Sequence, residues 1–208
     1  MSAHEREKGI SRRSWLLAGL ALPLFRARAA DFSVMYDGDT LRPIAPSLHF
    51  LTGKPLDSLK DANAVVFVSR LSLYGLGQSV PLRQAPQRFV VSYDIWEERF
   101  KVAIPGPSAR SRQGLAAAQA EAWCLENMAV STLGLDPASP FYLQLELRAA
   151  ETTELSAVFA DPGISLRAFV ELFSRKAGPG EPHWGPFNSG LLRLADMVRT
   201  QGRGARTG

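Results

Sequence analysis

The chain has 208 residues, 46% of them hydrophobic and 21% charged, with a single cysteine and a formal net charge of +4 at pH 7. A lone cysteine excludes an intramolecular disulfide, so a packed core must carry the stability. The positive balance does not signal a nucleic-acid ligand: residues 1–29 hold six of the 24 basic groups and two of the 20 acidic ones, leaving 18 of each beyond them, and a charge-balanced domain has no global field with which to gather phosphates.

Residues 1–29 read as an export signal of the twin-arginine type. Arg12 and Arg13 lie in Ser11-Arg12-Arg13-Ser14-Trp15-Leu16-Leu17, an apolar run follows over 15–25, and Ala27-Arg28-Ala29 offers a small-residue cleavage site. The run is far shorter than the ~20 residues that span a bilayer as a helix, which argues against a permanent membrane anchor. An ordinary secretory signal with incidental arginines is the alternative. The expected handling partners are the twin-arginine translocase and a signal peptidase, and the expected location is periplasmic or secreted. Residues 30–200 are expected to form a single globular domain, and 201–208, with Arg203 and Arg206 amid Gly and Thr, a flexible tail.

Within the domain, 32–36 and 47–51 are weak strand candidates, the latter pushed toward an edge by Pro43 and Pro46. Asp37-Gly38-Asp39 reads as a turn between two strands rather than a calcium loop. A short helical turn is expected over 55–62. Residues 64–74 form a longer run, apolar on both faces at its start through Val65 to Val68, which predicts a central strand covered on both sides. Gly75-Leu76-Gly77-Gln78-Ser79 reads as a flexible connection after it. Alternation then predicts strands over 88–94, with Phe89, Val91 and Tyr93 inward, and over 99–104, with Phe100, Val102 and Ile104 inward. The short spacer 95–98 joins them as a β-hairpin.

An Ala-rich helix is predicted over 115–127, with Leu115, Ala118, Ala122 and Leu125 on one face; Cys124, in its apolar stretch, reads as a small buried hydrophobe. Residues 141–148 alternate cleanly, with Phe141, Leu143, Leu145 and Leu147 on one side and Tyr142, Gln144, Glu146 and Arg148 on the other. Ser165 is a credible N-cap for a helix from Leu166, whose stripe is Leu166, Phe169, Val170 and Phe173, stopped by Gly178-Pro179. Residues 178–186 read as a loop, and 191–198 as a third helix. Strands that outnumber helices, with one pair joined too tightly to be parallel, predict an α+β fold: an antiparallel sheet or small β-sandwich with two to three helices packed on one side.

Chemistry is harder to find. His49, expected on an edge strand, and His183, expected in a loop, are the only histidines beyond the signal, too few for a His-rich zinc centre. No G-x-S-x-G elbow, phosphate loop or cofactor motif occurs, so no catalytic residue, metal or cofactor is assigned. The remaining candidates for binding a ligand or partner are two clusters. Asp94, Trp96, Glu97 and Glu98 sit at the hairpin tip, a composition also found in sugar-binding grooves, although composition alone favours a solvated turn whose Trp packs back onto the sheet. His183 and Trp184 open an aromatic segment that either lines a pocket or pins its loop to the core, pinning being the stronger reading.

The block Arg88-Phe89-Val90-Val91-Ser92-Tyr93-Asp94-Ile95-Trp96-Glu97-Glu98-Arg99-Phe100-Lys101-Val102 resembles one in uncharacterised exported bacterial proteins that form a domain-of-unknown-function family. The order of elements is similar over 32–150: an early strand region, this hairpin, an Ala-rich helix and a strand like 141–148. The resemblance implies export and a compact single domain. It carries no site residues, because the family has none assigned.

The expected function is therefore that of a non-catalytic periplasmic module that binds a partner protein or small ligand. A carboxylate-dependent hydrolase acting on glycan or cell wall, through Glu97 and Glu98, is one alternative. A carrier of an apolar ligand, suggested by the doubly apolar strand, is another.

Overall fold

The structure, a computed structural model, describes residues 31–151, 172–174, 177 and 180–197. The predicted signal, the tail and most of the predicted helix from Leu166 lie outside the described residues; of that helix, residues 172–174 are described and are helical.

Nine strands and two longer helices are described, with further helical residues at 172–174 and 194–197: β1 (Ser33–Tyr36), β2 (Thr40–Ile44), α1 (Gly53–Lys60), β3 (Val65–Gly75), β4 (Arg83–Asp94), β5 (Arg99–Ile104), β6 (Arg110–Leu115), α2 (Ala117–Glu126), β7 (Val130–Ser131), β8 (Phe141–Glu151) and β9 (His183–Asn188). They make an α+β fold of two antiparallel sheets, one of six strands in the order β6-β5-β4-β3-β8-β9 and one of three in the order β1-β2-β7. No helix among the described residues is long and apolar enough to cross a membrane.

The sheet is organised around β3, which is paired along its length with β8 on one side and along most of it with β4 on the other. Its side chains alternate between two different environments. Phe67, Leu71 and Leu73 join Phe89, Val91, Val102, Leu143, Leu145 and Leu147 in the main core, which also takes in Leu59 of α1, Cys124 and Leu125 of α2, and Leu41 of the small sheet. The opposite face begins apolar, with Val66 and Val68 buried against Leu172 and Phe173. It then turns polar. Arg70 and its cross-strand partner Glu146 form an ion pair at 2.8 Å, Tyr74 stacks on its partner Tyr142, and the guanidinium of Arg70 lies 4.5 Å from the ring centre of Phe173. The chain's own side chains thus cover the doubly apolar start of β3.

The turns follow from local chemistry. Between β1 and β2, the Asp37 carboxylate accepts the backbone N–H of Thr40 at 2.8 Å, the Thr40 hydroxyl and the Arg42 guanidinium. These bonds, led by the Thr40 N–H, favour the charged form and hold the Asp37 pKa at about 2. Asp37-Gly38-Asp39 is the turn that its composition predicts.

Several expectations are corrected. The second strand includes Pro43 and ends at Ile44, whereas residues 47–51 form a loop, so His49 is not on a strand. Proline is tolerated in this middle strand because β7 pairs only with Thr40 and Leu41, leaving the Pro43 position at a local edge. The buried face of α2 is Ala120, Glu121, Cys124 and Leu125, while Ala118 and Ala122 are exposed. Leu115 belongs to β6 and not to the helix, so counting helical phase from it rotates the face. Of the expected loop 178–186, residues 183–186 are strand, the first part of β9, and in 191–198 the described helical residues are 194–197, preceded by a bridge from Leu192 to Phe141. Strand β6 went unpredicted because all of its residues but Leu115 are exposed, which erases the alternation that marks a half-buried strand.

Candidate functional site

The hairpin tip is built as the alternation implies. Asp94 pairs with Arg99 at the base, Tyr93 packs on Phe100 with ring centres 4.8 Å apart, and residues 95–98 make the turn. Asp94 Oδ1 accepts the backbone N–H groups of Trp96 at 2.9 Å and Glu97 at 3.0 Å, which commits this carboxylate to holding the turn. Glu98 closes it with a φ of 53°. Trp96 does not fold back onto the sheet: it is 91% exposed, with Glu97 and Glu98 exposed beside it. A tryptophan so fully in water, on a turn held by its own side-chain bonds, leaves a large apolar surface unused within the described fold.

His183 and Trp184 are placed elsewhere. They start β9, at the far edge of the sheet, with β3 and β8 between them and the hairpin strand β4. Trp184 is half-buried on the core side, its ring 6.2 Å from Phe50 and 6.0 Å from Phe67, while His183 is exposed. The aromatic segment therefore pins an edge strand to the core, and Trp184 does not join Trp96 in one surface. Gly185 makes this possible: a Cβ there would lie 2.6 Å from the Leu145 carbonyl oxygen, where β9 bulges against β8.

A second constellation was not singled out from sequence. Glu121, only 4% exposed, projects from the inner face of α2 toward the loop before α1. Its Oε1 accepts the backbone N–H groups of Phe50 at 2.7 Å and Leu51 at 2.8 Å, and its Oε2 lies 2.9 Å from His49 Nδ1. A carboxylate only accepts, so the facing ring nitrogen carries a proton, and in the neutral ring Nε2 is then the acceptor. The His49 side chain is 57% exposed and lines a cavity of about 220 Å³ together with Asp31, Phe32, Ser47, Leu145 and Phe187. The Phe50 ring beneath the loop meets Phe67 edge-on at 5.0 Å and is fully buried. A carboxylate that both fastens a loop and orients an imidazole is the arrangement that gives a histidine a fixed tautomer and direction.

Cys124 is fully buried next to this carboxylate. Burial, reinforced by the charge of Glu121, pushes its thiol pKa up, which suits packing and opposes reactivity. The only signal that could have exposed Glu121 in the sequence is a charged residue one turn before Cys124, on the same helical face. Comparison with known protein families, curated proteins and solved structures gives no match for this chain.

Proposed function

We propose that the chain is an exported, non-catalytic binding module that presents Trp96 at the tip of the β4–β5 hairpin as the anchor for a partner protein in the periplasm. The observation that carries this reading is the 91% exposure of a tryptophan on a turn held by Asp94. Tryptophan dominates binding energy when it enters a pocket, and a pre-ordered turn lowers the entropy lost on docking. The flanking Glu97 and Glu98 suit a pocket whose rim is basic. Export rests on the paired Arg12 and Arg13 and on the Ala27-Arg28-Ala29 cleavage site.

Placing a photo-crosslinking amino acid at position 95 of the exported chain in cells, beside the intact indole, tests the reading. One discrete crosslinked protein is expected, competed away by excess wild-type domain but not by Trp96→Ala. A label that stays on the module alone, or competition by both proteins alike, would refute the hairpin as the docking element. Changing Arg12 and Arg13 to Lys together is expected to leave the uncut precursor in the cytoplasm. Normal processing of that variant would remove the twin-arginine route.

A further inference from the structure

The geometry points to a second binding site, in the cavity beside His49, for a small organic cation: an apolar body of about one ring carrying a primary ammonium. This site is independent of the hairpin and stands or falls without it. Phe187 supplies the accessible apolar wall, with Phe32 and Leu145 buried behind it, and about 220 Å³ exceeds the roughly 150 Å³ that suffices for a benzene ring, leaving room for a short polar arm. The polar groups facing that space are all able to accept. With Nδ1 donating to Glu121, Nε2 of the neutral His49 ring is an acceptor. Asp31 uses Oδ2 to accept the Asn188 N–H at 2.8 Å, and its other oxygen has no partner among the described residues. The Ser47 hydroxyl has none there either, and no described lining residue is Lys or Arg. A charged amine satisfies this set, whereas a carboxylate meets Asp31 and a lone pair with nothing to donate but one hydroxyl.

The restraint on His49 is not needed for packing. Its ring is more than half exposed, and Glu121 already fastens the loop through the Phe50 and Leu51 N–H groups. What the third bond adds is the direction and tautomer of Nε2.

Titration of the full chain with benzylamine, alongside benzyl alcohol and benzoate as neutral and anionic isosteres, tests this directly. The readouts are the ring nitrogens of His49 and the backbone amides of Ser47, Leu145 and Phe187 by NMR. Benzylamine is expected to give saturable shifts at all four residues and benzoate none. In Glu121→Gln the amide oxygen can still take the two backbone N–H groups while its nitrogen donates to Nδ1. The ring proton then moves to Nε2, and benzylamine should weaken about tenfold or more while benzoate gains. Asp31→Asn should lose benzylamine with the His49 tautomer unchanged, which separates lost charge from a disturbed fold. Trp96→Ala should leave every titration as it was. No saturable response to benzylamine, equal binding of all three probes, or a response to Zn²⁺ without one to the amine would each overturn the assignment.

Discussion

The hairpin tip and the His49 cavity are opposite solutions to presenting a side chain. At the tip, a turn closed by its own Asp94 holds Trp96 out in water, and every residue involved lies within a few positions of the next. At the cavity, His49 is directed by Glu121 from 72 positions away, while Asp31 and Phe187 come from opposite ends of the described chain. The first is a local structure that tolerates change around it. The second exists only while the core beneath it is intact, so the two regions should respond to mutation in opposite ways.

The largest difference is expected from Phe50→Ala. The ring is fully buried between Phe67 and Trp184, and its loss should cost about 3–5 kcal/mol in chemical denaturation. The same change should broaden the NMR signals of His49 while the hairpin amides keep their positions. A cost below about 1 kcal/mol would mean that the loop is not seated as the structure places it.

Glu121→Ala comes next. Removing the carboxylate leaves the Phe50 and Leu51 N–H groups without their acceptor in a buried setting, at a cost of about 2–4 kcal/mol. Hydrogen exchange should speed up at those two amides first. If their protection is unchanged, Glu121 does not fasten the loop and the orientation of His49 loses its support.

Trp96→Ala should be the smallest perturbation. With the indole in water and the turn held by Asp94, stability is expected to stay within about 0.5 kcal/mol of wild type. Acrylamide quenching should lose its most accessible component. A larger destabilisation would show that the indole packs on the domain and that the tip is not an independent anchor.

Much of the architecture was legible along the chain. Period-2 alternation marked β4, β5 and β8 and their inward residues, the apolar start of β3 marked a strand covered on both sides, and the short spacer 95–98 marked an antiparallel hairpin. These succeed because backbone pleating imposes its period directly on neighbouring residues. Residues at an edge, such as β6, and short strands that pair across the fold, such as β2 and β7, have no such pattern and were missed.

Side-chain placement was less legible than strand placement. Whether Trp96 folds back or stands out depends on what lies beneath it, and whether Trp184 lines a pocket or seals the core depends on Phe50 and Phe67, remote in sequence. From residue order alone, then, come the strands, the hairpin, the α+β class and the charge balance of residues 30–208. Folding alone decided that a glutamate on a helix and a histidine in a loop would meet over the core. A side chain's period is a property of its own segment, whereas its partner is chosen by segments that the chain brings together only in three dimensions.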